Sequence, residues 1–368
     1  MASPDPDLPS PAPPPPPGPT RTRPVASPDF GLDRARHVPD RPRPVAHPDP
    51  DLAKAEPPEW ILGITREIWE HRAISTLRRH YADDVPVRSP ASVVVGNVSV
   101  IPATMATLAE FPDRELLGED VIWHGDRESG FLSSHRLMCH ATHSRPGMYG
   151  APTNRKLRYR ILADCAVRDG KVYDEWLVRD QSAIVRQMGL DAKGWAADLI
   201  VREGGPERCV RPLTPTNDVA PRYSATGNGH PVGERYADML TRLMDAEFDL
   251  IPREYDRACH LELPGGVTAC GWTEADEFWM GLRSALPDAT FTVHHAMGRD
   301  DPWMSPRAAV RWTLHGTHSG WGMFGTPTGA EVYVLGIGHA EYGRWGLRQE
   351  YVLFDETAIW KQILLQTG

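Results

Sequence analysis

The sequence predicts an α+β fold written twice, as two tandem domains, each with helices packed on an antiparallel sheet. Two observations carry this. At a fixed offset of 175 residues, Gly96 meets Gly271, Pro112-Asp113 meets Pro287-Asp288, and Arg136 meets Arg311. In the same register His140 and His143 meet His315 and His318, and HATHSRPGMYGAPT (residues 140–153) is echoed by HGTHSGWGMFGTPT (residues 315–328). No gap is needed from Gly96 to Asp180, so the chain is a duplicated unit of domain size rather than a short-period solenoid. The second observation is the order within the first copy: helical periodicity first, strand alternation after it.

The elements follow in chain order. Residues 1–57 hold half of the 36 prolines, opening with PDPDLPSPAPPPPPGP. Proline removes backbone donors, and few apolar residues remain to offset the entropy of ordering, so a disordered, locally polyproline II tail is predicted. It would serve as a solvated tail or as a docking arm for a partner protein. Order is expected from Pro58. Trp69, Ala73, Leu77 and Tyr81 recur every fourth residue, with Ile61, Ile64 and Ile68 beside them, the buried stripe of an amphipathic helix. A second helix is expected over residues 101–111, ended by Phe111-Pro112-Asp113. GFLSSHRLMCHATH, KLRYRILADCAV and KVYDEWLVRD alternate as strands, and Asp169-Gly170 between the last two is a hairpin turn signal. This gives a first domain over residues 58–195, a Gly- and Pro-rich linker over 196–232, and a second domain over 233–368. Within the linker segment, AADLIV is apolar enough to pack back on the first domain.

Composition excludes several classes. A formal net charge of −9 argues against nucleic acid or an anionic membrane as the main partner. No apolar run reaches the roughly 18–20 residues that span a bilayer, and the N-terminus lacks the apolar core of a secretory signal. Five cysteines, Cys139, Cys165, Cys209, Cys259 and Cys270, include no C-x-x-C pair, so a reduced, cytoplasmic protein with buried thiols is expected.

The motifs THSRPGMYGAPT and THSGWGMFGTPT, with the ending RDGKVYDEWLVRDQSAIVRQMGL, resemble those of SnoaL-like polyketide cyclases in the nuclear-transport-factor-2-like superfamily. The resemblance covers residues 66–190 and, more weakly, the stretch from residue 234 to the C-terminus. It implies two cone-shaped domains with curved sheets, a small-molecule substrate, and a pseudo-dimer within the chain packed sheet to sheet, with further homo-oligomers open. It also implies an acid/base Asp directly after the Trp-like position, but Leu177 and Val352 stand there. A second family position falls on Ala163 and Gly338, with Asp164 and His339 one residue on. A bulge would bring those two into the cone; plain alternation sends them to the other face.

The candidate chemistry is proton transfer. His143 and His318 follow strands whose alternate members, Leu137 and Cys139 or Trp312 and Leu314, are apolar, so each is expected either to act as a general base or to brace the following Gly-Pro turn. Glu175 and Glu350 share strand parity with the lost Asp positions, and a carboxyl in an apolar cone would have a raised pKa. Asp180 and Asp355 precede helical tails, which makes helix capping sufficient to account for them. His140 and His315 fall on the opposite strand face from His143 and His318, so no metal site of two histidines is expected, and no cofactor motif is present. Two functions remain open: an enzyme that moves a proton beside a carbonyl, in cyclisation, isomerisation or dehydration, and a non-catalytic binding or scaffold protein.

Overall fold

A computed structural model describes residue 52 and residues 54–368. The predicted tail, residues 1–57, falls almost wholly outside the described residues. The first half runs α1 (Pro57–Trp69), α2 (Leu77–His80), β1 (Pro86–Ser89), β2 (Ser92–Val95) and α3 (Asn97–Glu110), then β3 (Glu115–Asp126), β4 (Gly130–Thr142), β5 (Lys156–Arg168) and β6 (Lys171–Arg179). It closes with α4 (Gln181–Gln187) and α5 (Ala192–Arg202). The second half repeats the order: α6 (Pro231–Met244), α7 (Ile251–Glu254), β7 (Tyr255–Leu263), β8 (Val267–Cys270), α8 (Trp272–Ala285), β9 (Thr290–Arg299), β10 (Arg307–Thr317), β11 (Glu331–Gly343), β12 (Gly346–Leu353) and α9 (Glu356–Thr367).

The two sheets have the same topology, β2-β1-β6-β5-β4-β3 and β8-β7-β12-β11-β10-β9. Neighbours are antiparallel except β1 with β6 and β7 with β12, which run parallel. The three alternating segments form β4, β5 and β6 as read, and Asp169 and Gly170 both take positive φ in the turn between the last two. The single helix expected through Tyr81 is instead broken. α1 stops at Trp69 and Arg72 adopts φ 59°, so the chain re-enters helix through a 3-10 turn at Ile74–Thr76 and becomes α-helical again at Leu77, where the apolar stripe resumes. The second helix starts earlier than expected, at Asn97, because Gly96 takes φ 87° and turns the chain into it. Helix α5 crosses the expected domain boundary, and its buried Trp195 and Leu199 join the core of the first half.

Each sheet has one face toward its own helices and the other toward the second sheet. Leu162, Trp176 and Val178 pack with Leu335, Ile337 and Leu353 between the sheets, and Ile122 and Leu132 pack with Met297 and Ala309. The linker is pinned to the first half. The Arg88 guanidinium, 1% exposed, donates to Asp174 at 2.5 Å and to Asp218 at 2.6 Å, while Asp174 accepts from the Arg222 and Tyr223 backbone N–H groups. Four of the cysteines are buried as expected; Cys270 is exposed. Among the described residues no helix is long and apolar enough to cross a membrane.

Candidate active site

The helices and the concave sheet face of the first half enclose a cavity of about 410 Å³. Period-two alternation on β6 sends Glu175, Leu177 and Arg179 into it, while Trp176 and Val178 face the other sheet. The Glu175 carboxyl is buried and hydrogen-bonded by the Tyr81 hydroxyl, and its Oε2 has no partner. Burial pushes its pKa up to about 7, the Tyr81 bond opposing part of that rise. The Tyr81 hydroxyl is itself raised well above its ordinary value, by burial first and then by the neighbouring carboxylate.

His135 also lines the cavity, on β4 opposite Ala163. Burial lowers its pKa to about 4, so the ring is neutral at physiological pH. Its Nδ1 lies 3.4 Å from Ser133 Oγ. The alternation that points Leu137 and Cys139 inward places His135 inward as well, so the signal for it was in the sequence. Arg114 and Arg179 also line it.

The second half places Glu350 where the first places Glu175, and fills the space around it. Glu350 Oε1 accepts from Tyr236 at 3.0 Å and Oε2 from Tyr255 at 2.9 Å, and Trp279 Nε1 donates to the Tyr255 hydroxyl at 3.0 Å. Tyr81 and Tyr255 hold matching places, each bridging in parallel to a matched residue, Val172 or Leu347. Burial pushes Glu350 up to about 7 as well, but both of its oxygens are bonded by protein. Trp279 and Trp312, both fully buried, stand at the register positions of Thr104 and Leu137. Val310, Ala289 and Phe354 stand at those of His135, Arg114 and Arg179.

The remaining candidates are placed elsewhere. His143 is fully buried, with Nδ1 3.1 Å from Thr153 Oγ1, and it accepts from the Thr153 backbone N–H at 3.3 Å. Its Nε2 lies 3.2 Å from Glu110 Oε1 but outside hydrogen-bond geometry. His318 repeats the arrangement with Thr328 Oγ1 at 3.0 Å. Both histidines therefore brace the glycine-proline turn, and His143 is not among the cavity residues. Asp164 and His339 point to the face between the sheets, because no register shift falls next to either. The bulge that would have returned them to the cone is absent at both positions. Asp164 accepts from Arg311 at 2.6 Å, and His339 Nε2 lies 2.8 Å from Ser134 Oγ. Burial raises Asp164 and lowers His339 well below the ordinary value.

Asp180 and Asp355 cap α4 and α9. Asp180 also accepts from Gly265 and Gly266 of the β7–β8 turn, both at 2.9 Å, tying the halves together. The matching turn in the first half carries Pro90 and Ala91, and proline has no N–H to offer. Asp355, which burial pushes up to about 7, lines the cavity of the first half instead. Of the predicted residues, the cavity thus unites Glu175 with Asp355 and leaves the others outside.

Residues 60–188 match the sequence model of the family described as SnoaL-like polyketide cyclase. Among solved structures, the chain is similar to IdmH from Streptomyces antibioticus, at 24% identity over 36% of this chain and 99% of that one, with a TM-score of 0.32. It is similar to TsrD from Streptomyces laurentii, at 15% identity over 36% and 93%, with a TM-score of 0.32. A SnoaL-like polyketide cyclase from Agrobacterium tumefaciens matches at 21% identity over 35% and 95%, with a TM-score of 0.29. A comparison with curated proteins finds no match.

Proposed function

We propose, from the match of residues 60–188 to the SnoaL-like polyketide cyclase model, that the first half is an enzyme that moves a proton beside a carbonyl of a small, polyketide-like organic molecule. The observation that carries this is Glu175: a buried carboxyl with a free oxygen in an apolar cavity of about 410 Å³, poised near pH 7. A pKa close to working pH is what a general base requires. Glu175 Oε2 takes the proton from the carbon, and the electron pair of that C–H bond moves into the enolate. With Ser133 Oγ–H donating to His135 Nδ1, the proton of the neutral ring sits on Nε2, which donates to the carbonyl oxygen as negative charge develops there. The enolate carbon then attacks a second carbonyl in the same molecule, and the alkoxide so formed takes the proton from Glu175, giving ring closure; or the enolate takes that proton at another carbon, giving isomerisation. Tyr81 holds the Glu175 carboxyl in place through both steps.

The second half has a different task in this reading. Tyr236 and Tyr255 hold both oxygens of Glu350, which favours a scaffold that acts as an intramolecular counterpart of a dimer partner. Asp355, the one residue it sends to the cavity wall, belongs to that role. The absence of C-x-x-C pairs fits a reducing cytoplasm.

Proton exchange tests this directly. In D2O, the protein is expected to speed deuterium incorporation at the central carbon of aromatic 1,3-dicarbonyl probes, followed by NMR, with a rate that rises with pH through about 7 as Glu175 ionises. Glu175→Gln should cut that rate by about 100-fold or more, the lower end of what general-base catalysis supplies, while Glu350→Gln leaves it within about threefold. Equal rates in Glu175→Gln and the unaltered protein would overturn the assignment.

A further inference from the structure

We propose that the cavity of the first half takes an organic acid, whose carboxylate is held by Arg179 and Arg114 at the end away from Glu175. The inference rests on the reading of this cavity as a small-molecule site, and it names the class of molecule.

Both guanidiniums line the cavity, and neither forms an ion pair with a described residue. Arg179 makes no side-chain hydrogen bond or ion pair with any described residue, and its Nε is buried without a partner. Arg114 is 3% exposed; its Nε reaches Tyr159 Oη at 3.1 Å and Cys139 Sγ at 3.2 Å, and its carbon end lies 4.3 Å from the Trp69 ring centroid. That leaves Arg114 Nη1 buried with no partner at all. A buried cation with no counter-charge, as at Arg114, is among the costliest arrangements in a protein interior; Arg179 is half-buried, with its Nε enclosed.

The carboxylates nearby do not relieve it. Glu110 turns both oxygens to the backbone N–H groups of Met148 and Tyr149, each at 2.9 Å, and lies beside His143. Asp355 caps α9 through Thr357 and Ala358. Neither forms an ion pair with Arg114 or Arg179 among the described residues, and Glu175 lies at the far end of the same strand face.

The fold does not need these cations. The second half, with the same strand order, has Ala289 and Phe354 at the two positions. What the first half keeps at a cost, and its copy does without, has its explanation in a ligand. The guanidinium fork matches a carboxylate in two parallel N–H···O bonds. Arg179 and Glu175 are four residues apart on one strand face, roughly 13 Å between their Cα atoms. One molecule therefore presents its acid at one end and its reacting carbon near the other. The largely apolar wall between them, with Leu137, Ile161 and Leu177, suits a flat ring system.

The test is calorimetric titration of the full chain with 2-naphthoate and with the neutral 2-naphthamide at pH 8. The acid is expected to bind at least tenfold more tightly than the amide. Arg179→Met should bring acid and amide within twofold of each other while leaving amide binding unchanged, and Arg179→Lys should restore part of the preference. The far-ultraviolet circular dichroism of each variant checks that it folds, and proton exchange is followed in the unaltered protein. Acid and amide binding equally well to the unaltered protein, or a preference that survives Arg179→Met, would overturn the proposal and leave the Glu175 reading standing. Binding of neither probe, together with no proton exchange, would overturn both.

Discussion

The two halves of this chain share strand order, helix caps and the histidine–threonine brace, yet a cavity of about 410 Å³ borders Glu175 while Tyr236 and Tyr255 take up both oxygens of Glu350. Thr104 and Leu137 in the first half meet Trp279 and Trp312 in the second, and His135, Arg114 and Arg179 meet Val310, Ala289 and Phe354. What the halves have in common is therefore what the fold needs. What differs is the filling of the cone, and it differs by a few side chains. The glutamate on the sixth strand survived in both, but only Glu175 keeps a free oxygen.

Exchanging the filling gives the largest expected effects. Thr104→Trp with Leu137→Trp should close the cavity of the first half and weaken naphthamide binding by about 100-fold or more. The reverse change, Trp312→Ala, should leave that binding intact and cost about 3–5 kcal/mol of stability in urea unfolding, since a fully buried Trp leaves a void its neighbours fill only in part. If the tryptophan pair still admits the probe, the difference between the halves is not one of volume.

A smaller effect separates the two glutamates by pH. The Glu350 pKa is about 7 in the folded protein, against an ordinary 4.5. The folded state thus holds a proton between those values that the unfolded chain has released. This group's contribution is complete below about pH 4.5, declines as pH rises to 7 and is flat beyond, a loss on the order of 3 kcal/mol. Glu350→Gln keeps an acceptor for Tyr236 and Tyr255 but never ionises. Its stability relative to the unaltered protein should therefore rise between pH 5 and 8, as read from urea midpoints. A pH-independent difference would place the Glu350 proton elsewhere.

The same comparison explains what was legible in the sequence. Strands β4, β5 and β6 were readable to within a residue because alternation is local, and the duplication was readable because glycines and prolines at turns are irreplaceable. The caps at Asp180 and Asp355 and the outward parity of Asp164 and His339 rest on the same local rules. The parallel pairing of β1 with β6 was not legible, since nothing in a four-residue segment names a partner almost 90 positions away. Nor was the emptiness of one cone and the fullness of the other, because volume is a sum over residues from every element. Arg114 and Arg179 were missed for a related reason: a cation is notable only when the folded surroundings leave it without a partner.

The smallest effect concerns the histidine that both copies repeat. His143 makes two contacts to Thr153, sits against Glu110, and does not reach the cavity. A residue that ties a turn to a strand end contributes through hydrogen bonds to buried groups, each worth on the order of 1–3 kcal/mol when one partner is removed. His143→Ala should lower stability by about that much, and His318→Ala should do the same in the second half. Proton exchange by the folded His143→Ala protein should stay within about threefold of the unaltered protein. The pair thus divides fold from function by a single measurement. A His143→Ala protein that melts as before but exchanges protons 100-fold more slowly would return the general-base role to His143 and reduce Glu175 to a buried relic like Glu350.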